Sequence, residues 1–226
     1  MPRAGREELR RLFELLLNRY GPQRWWPVDL NYHREHGTDP REEVVIGAVL
    51  TQNASWRNAE KALNNLKKLK ALSFKGIREL PYGELLEAVR PAGSYRRKAG
   101  YLKELTGRFG SAEELSRLSR GELLKLKGFG KETADAVLLY AFNRPYFVVD
   151  AYAKRLLKRL YGLEGSYDEI QRLFHESLPR DAELFKEYHA LIDEHGKRHC
   201  RKRPRCEGCP LERLCGFKDQ SRAQSA

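Results

Sequence analysis

Apolar residues recur at intervals of three and four along most of the chain, which is the period of an α-helix with one buried face. The segment Glu7–Tyr20 is an example, because Leu9, Leu12 and Leu16 share a face before Gly21 ends the helix. The same pattern predicts further helices at 42–50, 54–68, 82–89, 98–109, 112–118, 121–126, 132–142, 152–160, 167–177 and 182–195. The predicted fold class is therefore all-α.

Two stretches depart from the helical pattern. Trp25-Trp26-Pro27 is expected to open a loop rich in Asn, His and Gly, because proline breaks a helix. The apolar run Tyr146–Val149 has the composition of a strand, but it is short enough to be a buried extended link. No repeat of about 20–50 residues is visible, which argues against a solenoid. The polar tail after Lys218 is expected to fray.

Composition excludes several classes of protein. The chain has 226 residues, of which 41% are apolar, enough to form a core. Its longest apolar run, Val44–Leu50, is far shorter than the roughly 18 residues of a membrane span, so none is expected. The N-terminal segment lacks the apolar core of a secretory signal, which predicts an intracellular protein. Nothing indicates an obligate protein partner, so a monomer is expected.

The charge balance indicates a polyanionic partner. Forty-three basic and 31 acidic side chains leave a net charge of +12. Basic proteins of this kind often bind nucleic acid, because each Lys or Arg that meets a phosphate releases counterions. A merely soluble basic protein is the alternative. The segment Lys197–Arg213, which includes Arg201, Lys202 and Arg203, is the most basic part of the chain.

All four cysteines lie in that basic segment, with the pattern Cys200-x5-Cys206-x2-Cys209-x5-Cys215. Disulfides are disfavoured because intracellular thiols stay reduced. Zinc sites usually combine two separated Cys-x2-Cys pairs, whereas a single pair with symmetric five-residue spacers suits a larger object. The pattern therefore favours a [4Fe–4S] cluster over zinc, with a structural role in stiffening a basic loop.

Two glycines separate predicted helices in the segment Leu126–Ala134. We expect Gly128 and Gly130 to adopt positive φ angles and form a tight hairpin whose amides converge at the start of the next helix. Such a helix start can bind a phosphate without reading the base sequence. An ordinary helix connection is the alternative.

One carboxylate follows the apolar run at 146–149. Asp150 stands at a predicted helix start, where one role for it is an N-cap. A carboxylate beside an apolar wall could also stabilise a cationic sugar or activate water. The two roles are compatible.

The hairpin, the Val149-Asp150 pair and the four-cysteine loop, in this order, resemble the helix–hairpin–helix DNA glycosylase superfamily, close to endonuclease III. The resemblance covers nearly the whole chain, including residues 48–53 and 93–99. It implies two helical domains with a DNA-binding cleft between them and a flipped nucleotide in that cleft. The expected domains are 34–144, with six helices and the hairpin, and 1–33 plus 145–226, with the cluster.

The resemblance also implies roles for individual residues. Asp150 would be the catalytic carboxylate, and Gln52 and Asn53 would fill the gap left by the flipped base. The implied DNA-backbone contacts are Gly128, Phe129, Gly130, Lys131, Arg201, Lys202 and Arg203, and the implied cluster ligands are Cys200, Cys206, Cys209 and Cys215.

Two positions depart from the endonuclease III pattern. That pattern has six residues between the first two cluster cysteines, and this chain has five. Bifunctional members carry a lysine directly before the Thr-Ala of the hairpin helix, and Glu132 occupies that position here. A carboxylate cannot form a Schiff base. Lys131 is adjacent, but its side chain points elsewhere on the helix, so a phosphate contact is favoured over a lyase role.

Without that lysine, a monofunctional glycosylase acting on alkylated purines is the favoured function. Such bases already carry positive charge, so the pocket needs electron-rich aromatic faces rather than a general acid. Trp25, Trp26 and Trp56 are the candidates, with Tyr32 and Tyr152 as lesser ones; core packing is the alternative for the adjacent tryptophans. The hairpin's Lys-Glu pair is similar to the 3-methyladenine glycosylase branch.

Three rival functions stay open. One is a bifunctional endonuclease III-type glycosylase/lyase on oxidised pyrimidines that uses Lys131. Another is a non-catalytic binder of damaged DNA, which the presence of Asp150 disfavours. A helix-turn-helix regulator is disfavoured because no base-reading helix is evident. For each, double-stranded DNA is the expected partner, and the expected location is the cytoplasm, associated with the nucleoid if the source is prokaryotic.

Overall fold

The computed structural model describes residues 4–217, and their architecture is helical. Thirteen α-helices follow one another in this part of the chain: α1 Arg6–Tyr20, α2 Leu30–His36, α3 Pro40–Leu50, α4 Trp56–Lys68, α5 Phe74–Glu79, α6 Tyr82–Val89, α7 Tyr95–Arg108, α8 Ala112–Ser116, α9 Arg120–Leu123, α10 Lys131–Ala136, α11 Ala151–Tyr161, α12 Tyr167–Ser177 and α13 Ala182–Arg198. A 3₁₀ turn at Arg90–Ala92 and a π-helix at Val137–Ala141 complete them. The all-α prediction is confirmed, since residues 4–217 contain no strand.

The chain divides into two compact units. The hairpin-bearing unit is Trp26–Arg144, and the cysteine-bearing unit combines the residues up to Trp25 with those from Pro145 onward. The sequence predicts a boundary at 33/34 in the N-terminal part, whereas the structure groups residues 26–33 with the hairpin. Hydrogen bonds explain this difference, because the Asp29 amide donates to Glu43 Oε2 at 3.0 Å and the Leu72 amide donates to the Tyr32 hydroxyl at 3.3 Å.

The cysteine-bearing unit packs α1, α11, α12 and α13 around an aromatic core. Phe147 stacks on Phe174 with 3.6 Å between ring centroids, and Phe185 meets Phe147 edge-on at 5.5 Å. Tyr188 is fully buried, and its hydroxyl donates to the Leu9 carbonyl at 2.7 Å, which ties α13 to α1. This core holds the segment that leads to Asp150.

The hairpin-bearing unit is built around α3. Nine of the eleven residues of this helix are buried, so it is the central helix of the unit. Two of them are glutamates with defined partners. Glu42 accepts the amides of Phe74 at 2.8 Å and Ala112 at 3.3 Å, and burial raises the pKa of its carboxyl group. Glu43 pairs with the buried His33 at 2.9 Å.

Several predicted elements differ from those observed. The expected loop after Pro27 contains helix α2, because Asp29 caps it by accepting the Tyr32 amide at 3.0 Å and Gly37 ends it in a left-handed conformation. Helix α5 was not predicted, since it is only six residues long. The hairpin-bearing unit therefore has nine α-helices among its described residues rather than six. The predicted helix 132–142 is α10 followed by the π-helix.

The segment at 146–149 forms no strand in the described chain, and Phe147, Val148 and Val149 are buried. The frayed tail expected after Lys218 lies outside the described residues. Among residues 4–217, no helix combines the length and the apolar character that crossing a bilayer requires.

Candidate active site and cysteine loop

Asp150 ends a buried segment whose backbone is bonded by side chains of α12. The Phe147 amide donates to His175 Nε2 at 3.0 Å, and the Phe147 carbonyl accepts Gln171 Nε2 at 2.8 Å. Asp150 then caps α11, because its Oδ1 accepts the Ala153 amide at 2.8 Å. The N-cap role weighed from the sequence is therefore present, and the side chain keeps 15% of its surface exposed.

The surroundings of Asp150 act on its ionisation in both directions, and the net effect is an increase of its pKa. Burial raises the pKa of this carboxyl group, and the charge of Asp193 adds to the increase. His189 and the amides of Ala153 and Tyr152 act in the opposite direction. His189 Nε2 lies 3.8 Å from Asp150 Oδ2. A carboxylate with a raised pKa in a partly buried position is a candidate catalytic group.

The glycine hairpin is formed by two glycines with different conformations. Gly128 has φ +84°, as expected, and a Cβ at this position would collide with the ring of Tyr101. Gly130 has φ −80° and ψ 176°, so the prediction of a positive φ is wrong there. Its role is to precede α10 in an extended conformation, and the space around it is open.

Phe129 lies inside the hairpin rather than at its surface. The side chain is 5% exposed, and the amide closes the turn by donating to the Leu126 carbonyl at 3.1 Å. The side chain therefore belongs to the core of this unit. Lys131 and Glu132, at the start of α10, are both exposed.

The two predicted wedge residues differ in their surroundings. Gln52 is half-buried, and its Nε2 donates to the Gly128 carbonyl at 2.7 Å and to Thr133 Oγ1 at 3.0 Å. Asn53 is exposed and has φ +51°. Gln52 thus holds the hairpin, and Asn53 is the outward-pointing member of the pair.

A buried lysine lies beneath the same surface. Lys98 is 2% exposed, and its Nζ donates to the carbonyls of Leu50 and Ala92 at 2.7 Å each. Burial lowers the pKa of Lys98 to about 8, with a further contribution from Arg97. A polar concavity combines these groups; it is lined by Gln52, Asn53, Ser94, Arg97, Lys98, Tyr101, Leu126, Gly128, Phe129 and Gly130.

Sequence reasoning missed Lys98 as well as a second buried charge. Asp135 is fully buried in α10, and both of its carboxylate oxygens accept hydrogen bonds from Arg120, at 2.6 and 2.9 Å. This bidentate pair joins the helices on either side of the hairpin. The sequence signal for this pair is an Asp in the helix that follows the Gly-x-Gly segment. The spacing of residues does not reveal that Arg120 is its partner.

The three candidate pocket tryptophans are divided between the two units. In the hairpin-bearing unit, Trp26 meets Trp56 edge-on at 5.4 Å and Tyr140 at 5.5 Å between ring centroids. Trp26 packs over Gly47, where a Cβ would lie 2.8 Å from its Cζ2. In the cysteine-bearing unit, Lys197 Nζ lies 5.6 Å from the Trp25 ring centroid.

The lesser aromatic candidates have structural partners. Tyr32 is buried, with its hydroxyl on the Leu72 amide, so it does not present a free ring face. Tyr152 packs against Gly196 of α13, where a Cβ would collide with the ring. The Arg155 guanidinium lies 4.9 Å from the Tyr152 ring centroid.

The four cysteines line one common pocket. Its walls include Leu156, Leu160 and Leu211, and burial raises the pKa of the Cys209 and Cys215 thiols. Cys200 and Cys206 add to both increases, because neighbouring thiolates repel one another. Within residues 4–217, no group of three His, Cys, Asp or Glu side chains is arranged to hold a metal ion.

Arg159 of α11 organises the loop around that pocket. Its guanidinium donates to Cys200 Sγ at 3.3 Å and to the carbonyls of Arg201 at 2.7 Å and Lys202 at 3.0 Å. Arg155 donates to the Cys200 carbonyl at 2.7 Å. These bonds leave the side chains of Arg201, Lys202 and Arg203 exposed. Sequence reasoning missed Arg159 because it lies 41 residues from its cysteine.

Comparison with known proteins identifies the family. Residues 46–180 match the model of the HhH-GPD superfamily of base excision DNA repair proteins. The match spans more than half of the chain, from within the central helix α3 through the hairpin and Asp150 to just beyond α12. The chain belongs to the HhH-GPD superfamily, as the sequence resemblance predicted.

Its relatives include several glycosylases. A candidate DNA repair glycosylase of Methanocaldococcus jannaschii is 44% identical over 221 residues, which is 92% of this chain and 96% of the relative. Endonuclease III of Thermotoga maritima is 31% identical over 82% of this chain and 85% of its own length.

Two solved structures have the same fold. The 3-methyladenine DNA glycosylase MagIII of H. pylori, bound to 1,N6-ethenoadenine, is 34% identical with a TM-score of 0.72, covering 85% of this chain and 97% of its own. A covalent endonuclease III–DNA intermediate has a TM-score of 0.79 at 24% identity, covering 96% of this chain and 99% of its own. The second likeness concerns the fold alone.

Proposed function

We propose that the protein is a monofunctional DNA glycosylase that releases alkylated purines from double-stranded DNA. The observation that carries this proposal is the setting of Asp150. Its carboxylate ends a buried apolar segment, has one oxygen held by the Ala153 amide and keeps part of its surface open. A carboxylate held in this way can stabilise the positive charge that develops on a sugar when its base departs.

The reaction needs little more than this carboxylate. The bond between C1′ and the base nitrogen breaks, and its electron pair moves to the base, where it neutralises the positive charge of the alkylated ring. Asp150 stabilises the sugar cation until water attacks C1′, and the proton of that water passes to the carboxylate or to solvent. The products are the free base and an abasic sugar.

The aromatic cluster supports alkylated purines as substrates. Trp26, Trp56 and Tyr140 supply electron-rich rings, and a cationic base over such a face gains about 0.5–2 kcal/mol. The 34% identity to a 3-methyladenine glycosylase points the same way. Trp25 is a weaker candidate, because the Lys197 ammonium already lies over its ring.

A bifunctional lyase that uses Lys131 is the second candidate, favoured by the 31% identity to an endonuclease III. Glu132 argues against it, because it stands where bifunctional members carry lysine. Reduction with borohydride separates the two functions. A protein–DNA adduct trapped on damaged duplex would establish a Schiff base and overturn the monofunctional proposal.

We also propose that Cys200, Cys206, Cys209 and Cys215 hold a [4Fe–4S] cluster. Four thiols around one pocket fit such a group, and the Arg159 guanidinium beside Cys200 suits the negative charge of thiolates. The spacing supports a cluster over a single zinc ion, since zinc sites usually combine two separated Cys-x2-Cys pairs and this chain has one such pair between five-residue spacers. When bound, the cluster would hold the basic loop in place. Visible absorbance together with iron and zinc analysis of the purified protein tests this.

The exposed side chains of Arg201, Lys202 and Arg203 are proposed to contact DNA phosphates. Replacing all three with alanine should weaken binding to damaged and undamaged duplexes alike and reduce the slope of log Kd against log salt. A loss confined to one lesion would contradict a backbone contact.

Base release from a panel of duplexes tests the main proposal. Oligonucleotides with alkylated, oxidised or deaminated bases are incubated with wild type and with Asp150→Asn, and the released bases are separated by chromatography. We expect release of alkylated purines by wild type only, with DNA binding retained by Asp150→Asn. Release of oxidised pyrimidines instead would overturn the substrate class, and release by Asp150→Asn at the wild-type rate would overturn the role of Asp150.

A further inference from the structure

Helix α13 carries three charged or titratable side chains on one face. His189, Asp193 and Lys197 are spaced by four residues, so they lie one above another along the helix. Asp193 forms an ion pair with Lys197, and His189 faces Asp150. This stripe therefore connects the candidate catalytic carboxylate with two further charges.

The two oxygens of Asp150 have different neighbours. Oδ1 accepts the Ala153 amide at 2.8 Å, which is the N-cap of α11. Oδ2 lies 3.8 Å from His189 Nε2. The Tyr152 amide also acts on this carboxyl group, and the His189 imidazole is the cationic side chain that faces Oδ2, at ion-pair rather than hydrogen-bond distance.

His189 is itself held in place. Its side chain is 16% exposed, and its ring meets the edge of Phe147 at 6.5 Å between centroids with an interplanar angle of 84°. Phe147 is fully buried and belongs to the segment that ends at Asp150. The same packing therefore supports both members of the pair, so their separation depends on the core and not on a loop.

We propose that His189 is a positioning residue for Asp150, with its imidazole directed at Oδ2 to orient the carboxylate and stabilise its ionised form. This inference rests on the proposed function and deepens it. No proton needs to move between the two side chains. Asp193, one turn along α13, has the opposite electrostatic effect on the carboxylate.

Two of the groups that face Asp150 shift its pKa in opposite directions, which allows a test. They are His189 and Asp193 from α13 and the amides of Tyr152 and Ala153 from α11. His189 favours the ionised carboxylate, whereas Asp193 disfavours it. Removing His189 should therefore raise the pH at which activity is lost on acidification, and removing the charge of Asp193 should lower it. Loss of packing alone would not move the two variants in opposite directions.

The experiment compares single-turnover base release against pH for wild type, His189→Phe, His189→Gln and Asp193→Asn. We expect His189→Phe to lower the maximal rate at least about tenfold and to move the acid limb upward by about one pH unit. His189→Gln keeps a polar side chain but no positive charge, so it should recover part of the rate while the acid limb stays above that of wild type. Asp193→Asn should move the acid limb downward. DNA affinity, measured on a hydrolysis-resistant duplex, should stay within about twofold of wild type in all three.

Titration of the Asp150 carboxyl carbon by NMR provides a readout independent of turnover. The midpoint should be higher in His189→Phe and lower in Asp193→Asn than in wild type. Unchanged midpoints, or shifts of the same sign in both variants, would overturn the inference. If wild type released no base from any duplex while these midpoints moved as expected, the proposed function would fail and the pairing would stand.

Discussion

The side chain of Gln52 donates to the carbonyl oxygen of Gly128 at 2.7 Å, across 76 residues of sequence. This bond ties the turn after α3 to the glycine hairpin, and a second bond from the same amide reaches Thr133 at 3.0 Å. The conformation of the hairpin therefore depends on Gln52, a residue to which the family resemblance gives a different role, that of filling the gap left by a flipped base.

Replacing Gln52 with alanine should weaken binding to damaged and undamaged DNA alike. The hairpin carbonyl and Thr133 lose their donor, and each lost bond costs about 0.5–1.5 kcal/mol. We expect lower affinity for undamaged and damaged duplexes by similar factors, measured by fluorescence anisotropy. Asn64→Ala is the matched control, because Asn64 is exposed on α4 and has no proposed role in DNA binding. If Gln52 acted only by insertion, the affinity for undamaged duplex would be unchanged.

Gly128 should tolerate alanine much less well than Gly130. Alanine at 128 requires φ +84° and collides with Tyr101, whereas position 130 has φ −80° and open space. We expect Gly128→Ala to lower the free energy of unfolding by about 1–3 kcal/mol and Gly130→Ala to change it by less than about 0.5 kcal/mol. Chemical denaturation measures both. Equal effects at the two positions would contradict the hairpin geometry.

The buried ammonium of Lys98 should make stability rise at alkaline pH. Its pKa is about 8 in the folded protein against 10.5 ordinarily, so between these values the unfolded chain holds more of the proton. The free energy of unfolding then increases with pH across this window, by at most about 3 kcal/mol. Denaturation of wild type and Lys98→Met at pH 7, 8, 9 and 10 isolates this contribution.

The rise should be present in wild type and absent from Lys98→Met, which has no titrating group there. Tyr20 and Tyr161, whose pKa values burial raises to about 12, remain in both proteins and cancel in the comparison. A parallel pH dependence in the two proteins would show that Lys98 titrates as it does in water.

Arg159→Lys should loosen the cysteine loop while keeping the charge. A lysine ammonium carries its donors on one nitrogen, so it cannot reproduce the planar arrangement by which two nitrogens of Arg159 reach Cys200 Sγ and the carbonyls of Arg201 and Lys202. With the proposed cluster bound, we expect its visible absorbance to bleach severalfold faster in air than in wild type. Lys158→Arg, on the neighbouring exposed position, is the control and should bleach at the wild-type rate. If the two variants bleached at the same rate, Arg159 would not be needed to hold the loop.

Local signals in the sequence are sufficient for most of the helices, for the hairpin and for the grouping of the four cysteines. Helical periodicity and the Gly-x-Gly segment depend on neighbouring residues, and so does the capping position of Asp150. The cysteines could be grouped because they are close in sequence. Helix α2 was hidden because its signal is a single Asp cap rather than an apolar stripe.

The contacts that sequence reasoning missed all join distant residues. Arg159 with Cys200, Lys98 with Leu50 and His189 with Asp150 depend on which helices pack together, and no spacing rule contains that information. Gly130 was assigned a positive φ because it accompanies Gly128, yet only one of the two had to reverse the chain.

The segment leading to Asp150 takes its backbone hydrogen bonds from the side chains of α12 rather than from a neighbouring strand. His175 and Gln171 bond Phe147, and the Tyr167 hydroxyl accepts the Val149 amide at 3.4 Å. Small side-chain changes on α12 can therefore change the orientation of the carboxylate. Such changes leave the aromatic rings and the hairpin in place. Substitutions at His175, Gln171 or Tyr167 would then change the setting of Asp150 without replacing the carboxylate itself.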